Sequence, residues 1–156
     1  MRIRQISQEK KAYLSLLLLG DEQEDMIDRY LSRGDMYLLE DGGKAAAVIV
    51  VTDEGGGVLE IKNLAVDPSV QRRGYGRMMI DFAACHYRAA FHTLIVGTGD
   101  SPQTIPFYER CGFTRSHVVK NFFVDHYDHP IMEFGVQLRD MVYLKRNLCS
   151  SGRKES

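Results

Sequence analysis

The sequence has few of the features that would assign the chain to a membrane, a nucleic acid or an extracellular compartment. The formal net charge of its 156 residues is only -1, so no chain-wide field attracts nucleic acid or anionic lipid. The apolar run 16–19 is too short to span a bilayer, and no signal peptide precedes it. The three cysteines, Cys85, Cys111 and Cys149, have no paired spacing, which favours free thiols in a reducing compartment. We therefore expect a cytoplasmic protein without nucleic-acid or membrane partners.

The order of apolar patterns along the chain indicates one α/β domain. Its length is sufficient to bury a core, and the sequence contains no internal repeat or linker. Helical spacing predicts helices over 10–19, 22–33, 74–88 and 103–110. Apolar runs and turn residues predict strands over 3–6, 36–40, 44–52, 58–66, 93–98, 114–119 and 140–146. We predict a single domain over residues 1–148 and a frayed polar tail over 149–156.

The most informative stretch is 59–83, in which an apolar strand ends at an Asp-Pro pair and a short loop leads into an amphipathic helix. Helix N-termini expose unpaired N–H groups with partial positive charge, and they therefore bind phosphates. Gly74 and Gly76 allow the backbone to approach a phosphate closely, and Arg72, Arg73 and Arg77 flank them. Glycines in a loop are more often simple turn or cap residues. Together with the arginines, however, they predict a phosphate-bearing ligand.

Two common phosphate motifs do not fit this loop. A dinucleotide-binding fingerprint needs a third glycine where Met79 stands, and no Gly-Lys-Ser/Thr sequence closes a Walker loop. The strand–helix–strand order instead predicts a right-handed crossover, with the strands 58–66 and 93–98 paired in parallel. Ligands of such sheets bind beyond the carboxyl ends of the strands.

The loop QRRGYG at 71–76 resembles the pyrophosphate loop of the GNAT superfamily of acetyl-coenzyme A-dependent N-acetyltransferases. The segment IPFYERCGF at 105–113 resembles a second signature of that family, in the expected order and spacing. The resemblance covers roughly residues 1–148. It implies a mixed α/β fold with a central mixed sheet of about six to seven strands and about four helices. It also implies acetyl-coenzyme A as co-substrate, without a metal.

The resemblance further implies where coenzyme A binds. In the GNAT fold two parallel strands splay apart, and the pantetheine arm of the cofactor inserts between them. Backbone groups of Leu64, Ala65 and Val66 would bond this arm. The remaining expected cofactor residues are Gln71, Arg72, Arg73, Gly74, Tyr75, Gly76 and Arg77, together with Ser101, which stands where many relatives have an asparagine.

Acetylation of an amine requires that the amine lose a proton and that the departing thiolate gain one. Glu60 is the candidate base, because the strand's alternation puts it on one face with Lys62 and Leu64, and a half-buried carboxylate would have a raised pKa. An ion pair between Glu60 and Lys62 on a wet sheet face is an equal alternative. Tyr108 matches the family tyrosine proposed to protonate the thiolate. Its phenol is protonated at neutral pH, and the alternative is a core aromatic.

The segment 121–139 is rich in aromatic residues and histidine, and in the GNAT fold this connection often lines the acceptor site. The residues expected to shape a substrate pocket are Phe123, His126, Tyr127 and Glu133. His126 and His129 lack an evident third ligand, so no metal is expected. The acceptor itself, a small-molecule or peptide amine, is not identified because acceptor specificity lies in variable loops.

The expected function is transfer of an acetyl group to a primary amine by direct attack in a ternary complex. Cys111 occupies a packing position of the family signature, so no covalent enzyme intermediate is expected. Two alternatives stay open: transfer of a longer acyl group, and a non-catalytic acyl-coenzyme A sensor or interaction module. A homodimer through the last strands is expected from the family resemblance alone.

Overall fold

Alternating strands and helices build residues 1–148, the part of the chain that the structure, a computed structural model, describes. The strands are β1 Arg2–Ile6, β2 Asp35–Asp41, β3 Lys44–Asp53, β4 Val58–Val66, β5 Thr93–Gly99, β6 Thr114–Val119, β7 Met132–Glu133, β8 Val136–Gln137 and β9 Met141–Asn147. The helices are α1 Leu14–Gly20, α2 Glu24–Asp28, α3 Tyr75–Tyr87, α4 Thr104–Arg110 and α5 Phe122–His126. Two 3₁₀ turns, Lys10–Tyr13 and Pro68–Val70, complete the regular structure of these residues.

One seven-stranded mixed sheet organises the molecule. Its strand order is β1-β2-β3-β4-β5-β9-β6, and β7 and β8 form a separate two-stranded hairpin. Only β4 and β5 run parallel in the sheet, joined through α3, while each other neighbouring pair is antiparallel. The predicted fold class and the predicted parallel pair are therefore confirmed. The described residues form five helices rather than about four, and the predicted tail over 149–156 lies outside them.

Three short elements differ from the sequence prediction. The helix predicted over 22–33 ends at Asp28, and the following turns are held by Lys10, whose Nζ donates to the carbonyls of Leu31 and Gly34 at 2.7 Å each. The segment 121–139, to which the sequence analysis assigns no helix or strand, contains α5 and the β7–β8 hairpin. Local hydrogen bonds and turn geometry decide such short elements, and they leave no periodic signal in the sequence.

Both faces of the central strands are buried. Along β2, Leu39 packs into the cluster against α3, whereas Met36 and Leu38 pack into a second cluster against α1 and α2. The same alternation in β3 buries Ile49 on the first side and Val50 on the second. Because both faces are covered, β3 reads as a continuous apolar run rather than as alternating apolar and polar residues.

A β-bulge interrupts β4. Against β3, Ile61 pairs with Val51 and Asn63 pairs with Val50, so Lys62 is an extra residue without a partner. A bulge of this kind reverses the side-chain alternation beyond it. Leu64 consequently packs against the α3-side cluster, as Ile61 does, although the two are three positions apart and would lie on opposite faces of a regular strand. The predicted common face for Glu60, Lys62 and Leu64 is therefore wrong for Leu64.

The sheet opens between its two parallel strands. Pairing of β4 with β5 ends at Ile61 and Val96. Beyond these residues β4 stays paired with β3 as far as Val66, and β5 stays paired with β9 as far as Gly99. The facing edges of β4 and β5 thus separate at their carboxyl ends. None of the described helices is long and apolar enough to cross a bilayer.

Candidate active site

A cleft of about 720 Å³ lies where β4 and β5 separate. Its walls are the end of β4, the loop before α3, the end of β5, α4 and the tip of the β7–β8 hairpin. The predicted cofactor residues that line it are Leu64, Ala65, Val66, Gln71, Arg72, Gly74, Tyr75, Gly76 and Arg77. The fold therefore gathers two separate parts of the sequence, the strand end and the loop, around one opening.

Arg73 and Ser101 do not line this cleft. Arg73 points to Asp41, with 3.8 Å between its Nη1 and the carboxylate Oδ2. Ser101 is buried, and its Oγ accepts hydrogen bonds from the backbone N–H groups of Gln103 at 3.2 Å and Thr104 at 3.4 Å. A serine before a helix commonly satisfies the first free N–H groups in this way. Its hydroxyl thus supports the start of α4.

The loop before α3 has the backbone geometry of an anion-binding concavity. Arg72 and Gly74 both have positive φ, 68° and 81°, and Gly74 is the N-cap of α3. Successive N–H groups around left-handed residues converge and form nests that bind anions. A Cβ at Gly74 would meet nothing within 4 Å, so the positive φ alone accounts for glycine there.

At position 76, close packing rather than a positive φ accounts for glycine. A Cβ at this position would lie 3.2 Å from Cζ of Phe107 and 3.7 Å from Cγ2 of Val66. Glycine therefore lets the first turn of α3 approach α4 and β4 closely. The neighbouring Tyr75 is buried and its hydroxyl donates to the carboxylate of Asp41, which fastens the loop to the β2–β3 turn.

Tyr108 lies in α4 and lines the cleft, with 7% of its surface exposed. Its ring makes edge contacts with Phe107 and Phe113, at centroid distances of 5.1 and 5.6 Å. The hydroxyl makes no hydrogen bond with another residue in 1–148. Burial raises the pKa of this phenol, so it is fully protonated at neutral pH. Its position allows it to donate a proton into the cleft.

Glu60 is 7% exposed and does not itself line the cleft. Its Oε1 lies 3.2 Å from Nζ of Lys62, which does line the cleft. Burial raises the pKa of the Glu60 carboxyl above its ordinary value, and the ammonium of Lys62 partly offsets that rise. The ion pair between Glu60 and Lys62 that the sequence suggested is therefore present, with its carboxylate buried and its ammonium partly exposed in the cleft.

The four predicted acceptor residues occupy two different places. Glu133 lines the cleft, and its Oε1 accepts a hydrogen bond from Oγ1 of Thr104 at 2.7 Å. The other three, Phe123, His126 and Tyr127, are not part of the cleft lining. Phe123 is buried with Ile131 and Leu138 in a small separate cluster.

His126 and Tyr127 are held by contacts of their own. His126 stacks on the ring of Phe122 at 4.4 Å. The hydroxyl of Tyr127 donates to Oδ1 of Asp21 at 2.7 Å, while Tyr30 donates to Oδ2 at 3.1 Å. Burial raises the pKa of Asp21, and the tyrosine hydroxyls partly offset this rise. α5, which has no clear sequence signal, turns these side chains away from the cleft.

Sequence reasoning missed Asn63 and Phe134, which both line the cleft. The Asn63 side chain is buried, and its Nδ2 donates to the Leu17 carbonyl at 2.9 Å and to the Tyr30 hydroxyl at 3.1 Å. Its Oδ1 has no hydrogen-bond partner among the described residues. A polar residue within an apolar strand was the available signal. Residues 1–148 contain no group of three or more histidine, cysteine, aspartate or glutamate side chains suited to a metal ion.

Comparison with known proteins gives consistent matches. The family model for the acetyltransferase (GNAT) domain matches residues 32–115. An uncharacterized N-acetyltransferase of Bacillus subtilis strain 168, YvbK, is 37% identical over 135 residues, which are 85% of this chain and 87% of that protein.

Solved structures agree over nearly the whole chain. A GNAT family acetyltransferase from Elizabethkingia anophelis with acetyl-CoA bound has a TM-score of 0.89 and 30% identity, covering 94% of this chain and 97% of that one. A Bacillus subtilis acetyltransferase in complex with CoA has a TM-score of 0.85 and 35% identity, covering 94% and 98%. An IAA acetyltransferase from Bacillus cereus ATCC 14579 has a TM-score of 0.89 and 33% identity, covering 94% and 99%.

Proposed function

This chain belongs to the GNAT family of acetyltransferases, and we propose on that premise that it transfers the acetyl group of acetyl-coenzyme A to a primary amine. Its class, an acetyl-coenzyme A-dependent N-acetyltransferase, follows from the family and from relatives solved with the cofactor. The proposal concerns the acceptor, a small-molecule or peptide amine, and direct attack within a ternary complex. The observation that carries it is the opening between β4 and β5, which joins the anion-binding loop to Tyr108 in one cleft.

The residues around this opening suit coenzyme A. The edge of β4 over Leu64, Ala65 and Val66 has no parallel partner strand, so its backbone groups remain available to an extended amide-containing arm. The positive φ values of Arg72 and Gly74 support anion binding by the loop at the start of α3. When bound there, acetyl-coenzyme A supplies the thioester that an amine attacks.

Tyr108 is the proposed general acid. A proton donor for a departing thiolate must be protonated beforehand, must border the reacting group and must have a free hydroxyl. The Tyr108 phenol lines the cleft, has a raised pKa and makes no hydrogen bond with the described residues that would hold its proton elsewhere. The proton would pass from its Oη to the sulfur as the carbon–sulfur bond breaks.

Glu60 is the proposed base. Its buried carboxyl has a raised pKa, which brings it closer to neutral pH, as a general base requires. Because the Glu60 side chain does not line the cleft, the proton of the acceptor would reach it through an intervening water. Lys62, paired with Glu60 at 3.2 Å, would hold the carboxylate in place.

A covalent enzyme intermediate is not part of the proposed reaction. Such an intermediate would need a reactive thiolate, and Cys111 is 3% exposed, with a pKa that burial raises. Cys85 is exposed and lies outside the cleft lining. These two free thiols are also consistent with the reducing, cytoplasmic location expected from the sequence.

We further propose that residues 1–148 form one domain and that it pairs with a second copy through β6. This strand is an edge of the sheet, and all six of its residues are exposed, including Val118 and Val119. An exposed edge strand presents unpaired backbone groups to another chain. Light scattering coupled to size exclusion tests the dimer, and a monomer at all concentrations would refute it.

The test of the proposed function has two steps. Calorimetric titration with acetyl-coenzyme A measures binding, and a thiol-reactive dye then follows release of coenzyme A across a panel of primary amines. Saturable binding with amine-dependent thiol release is the expected result. If acetyl-coenzyme A binds but no amine causes release of coenzyme A, the protein is better explained as an acyl-coenzyme A sensor. If coenzyme A is released only from a longer acyl-coenzyme A, the protein is better explained as a transferase of that longer acyl group.

A further inference from the structure

The β7–β8 hairpin has an unusual residue at its tip. Met132 pairs with Gln137 and Glu133 with Val136, so only Phe134 and Gly135 form the turn. Both have positive φ, 50° and 79°. Two-residue hairpin turns with positive φ at both positions normally carry Asn-Gly or Asp-Gly. A bulky phenylalanine in the left-handed region is uncommon and needs a reason.

Packing within the described protein does not supply that reason. Phe134 is 58% exposed and belongs to none of the buried apolar clusters. No ring contact joins it to another aromatic residue of 1–148. It does, however, line the cleft, whereas Met132 and Val136, which are also exposed on the same hairpin, do not. Strained backbone without a packing role is typical of residues that contact ligands.

Glu133, the residue before Phe134, places an unpaired negative charge in the same part of the cleft. Its described partner is the neutral hydroxyl of Thr104, at 2.7 Å, and it forms no ion pair with the described residues. The one cationic side chain that β4 contributes to the cleft, Lys62, is already paired with Glu60. The carboxylate of Glu133 also lies close enough to raise the pKa of Tyr108.

We infer that Glu133 and Phe134 form the acceptor subsite, which takes a primary amine whose ammonium binds Glu133 and whose apolar body packs on the ring of Phe134. This inference rests on the proposed function and names its substrate class: amines on a hydrophobic, ring-bearing carbon skeleton. The ammonium is attracted both by the carboxylate and by the face of the ring.

A substitution at Phe134 can distinguish the effect of the aromatic ring from the effect of the turn conformation. Asparagine suits the left-handed position, so Phe134→Asn removes the ring while the hairpin is retained. We expect KM for phenethylamine to rise about tenfold, with KM for ethylamine and for acetyl-coenzyme A changing less than about twofold. Phe134→Trp should restore the low KM. Met132→Asn is the matched control, because Met132 lies on the same hairpin outside the cleft lining.

Replacement of Glu133 tests the charge. Glu133→Gln keeps the shape and the hydrogen bond to Thr104, so KM should rise for both amines while acetyl-coenzyme A binds as before. Equal losses for phenethylamine and ethylamine in Phe134→Asn would overturn the role of the ring. An effect of Met132→Asn as large as that of Phe134→Asn would do the same, and unaltered amine KM values in Glu133→Gln would overturn the role of the carboxylate.

A binding experiment keeps this inference separate from catalysis. Phenethylamine is titrated calorimetrically into wild type and Phe134→Asn, each saturated with coenzyme A. Weaker binding by the variant supports the subsite even if wild type transfers no acetyl group, in which case the proposed function alone fails. Acetyl transfer to amines with unchanged KM in both variants refutes the subsite and leaves the function standing. Absence of phenethylamine binding to wild type also refutes the subsite.

Discussion

Two glycines lie near the start of α3, Gly74 and Gly76. Replacing Gly74 with alanine should mainly lower stability, whereas replacing Gly76 should mainly weaken the binding of acetyl-coenzyme A. At Gly74 the new Cβ meets nothing within 4 Å, so the whole effect comes from its φ of 81°. A left-handed backbone costs an L-residue about 1–2 kcal/mol. For a chain of this size the midpoint temperature should fall by about 2–8 °C.

At Gly76 the φ is ordinary, and the new Cβ meets the Phe107 ring at 3.2 Å. A small movement of the ring relieves this contact, and alanine is intrinsically better than glycine in a helix by up to about 1 kcal/mol. We therefore expect stability within about 1 kcal/mol of wild type, since the two effects oppose each other. Acetyl-coenzyme A should nevertheless bind more weakly, because Phe107 lines the cleft and the displacement of its ring changes the shape of that wall.

Urea unfolding and calorimetric titration of both variants test this reasoning. The expected pattern is a clear loss of stability in Gly74→Ala and a loss of affinity without a comparable loss of stability in Gly76→Ala. Arg72→Asn is the control for backbone strain, because Arg72 already has a φ of 68° and asparagine tolerates that conformation. A Gly74→Ala variant as stable as wild type would refute the argument from φ.

Two further predictions concern the site, and a third concerns an exposed histidine outside it. Tyr108→Phe should lower kcat about 100-fold or more with unchanged affinity for acetyl-coenzyme A, and an unchanged kcat would exclude the acid role. Glu60→Gln should lower kcat and remove the acidic limb of the pH–rate profile. Because the pKa of Glu60 is raised, that limb in wild type should lie at a higher pH than an ordinary glutamate would give. If the limb persists in the variant, another group causes it. The pKa of His129 is raised chiefly by Asp128, then by Glu22, so its stabilising contribution is complete below the unfolded pKa and is lost as pH rises through the folded one. His129→Ala should therefore lower the melting temperature at pH 5.5 but not at pH 9, and an equal loss at both would show that its charge is not involved.

The sequence was sufficient for the fold and for the cofactor end of the site because those parts depend on local patterns. The apolar runs and the loop at 71–76 each occupy one continuous segment, and the parallel pairing of β4 with β5 follows from their order. The bulge at Lys62 could not be read in this way, since it depends on the register with β3.

The acceptor end was harder to predict for the same reason. The aromatic residues of 121–139 were expected to line the cleft, but α5 packs Phe123 into its own cluster and leaves His126 on Phe122. Phe134 reaches the cleft instead, through a turn whose residues break the usual preference. Composition identifies a segment that contains aromatic residues, but only the backbone path decides which of them faces a ligand.

The opening between β4 and β5 also divides the sheet into two halves that few strand contacts join. Only four residue pairs, from Val58–Thr93 to Ile61–Val96, join the two strands directly, while each half of the sheet continues beyond them with its own partners. A ligand inserted there touches both halves and takes the place of the missing strand contacts. By linkage, acetyl-coenzyme A bound in this opening should therefore raise the free energy of unfolding, and this gain should grow with the ligand concentration above its dissociation constant.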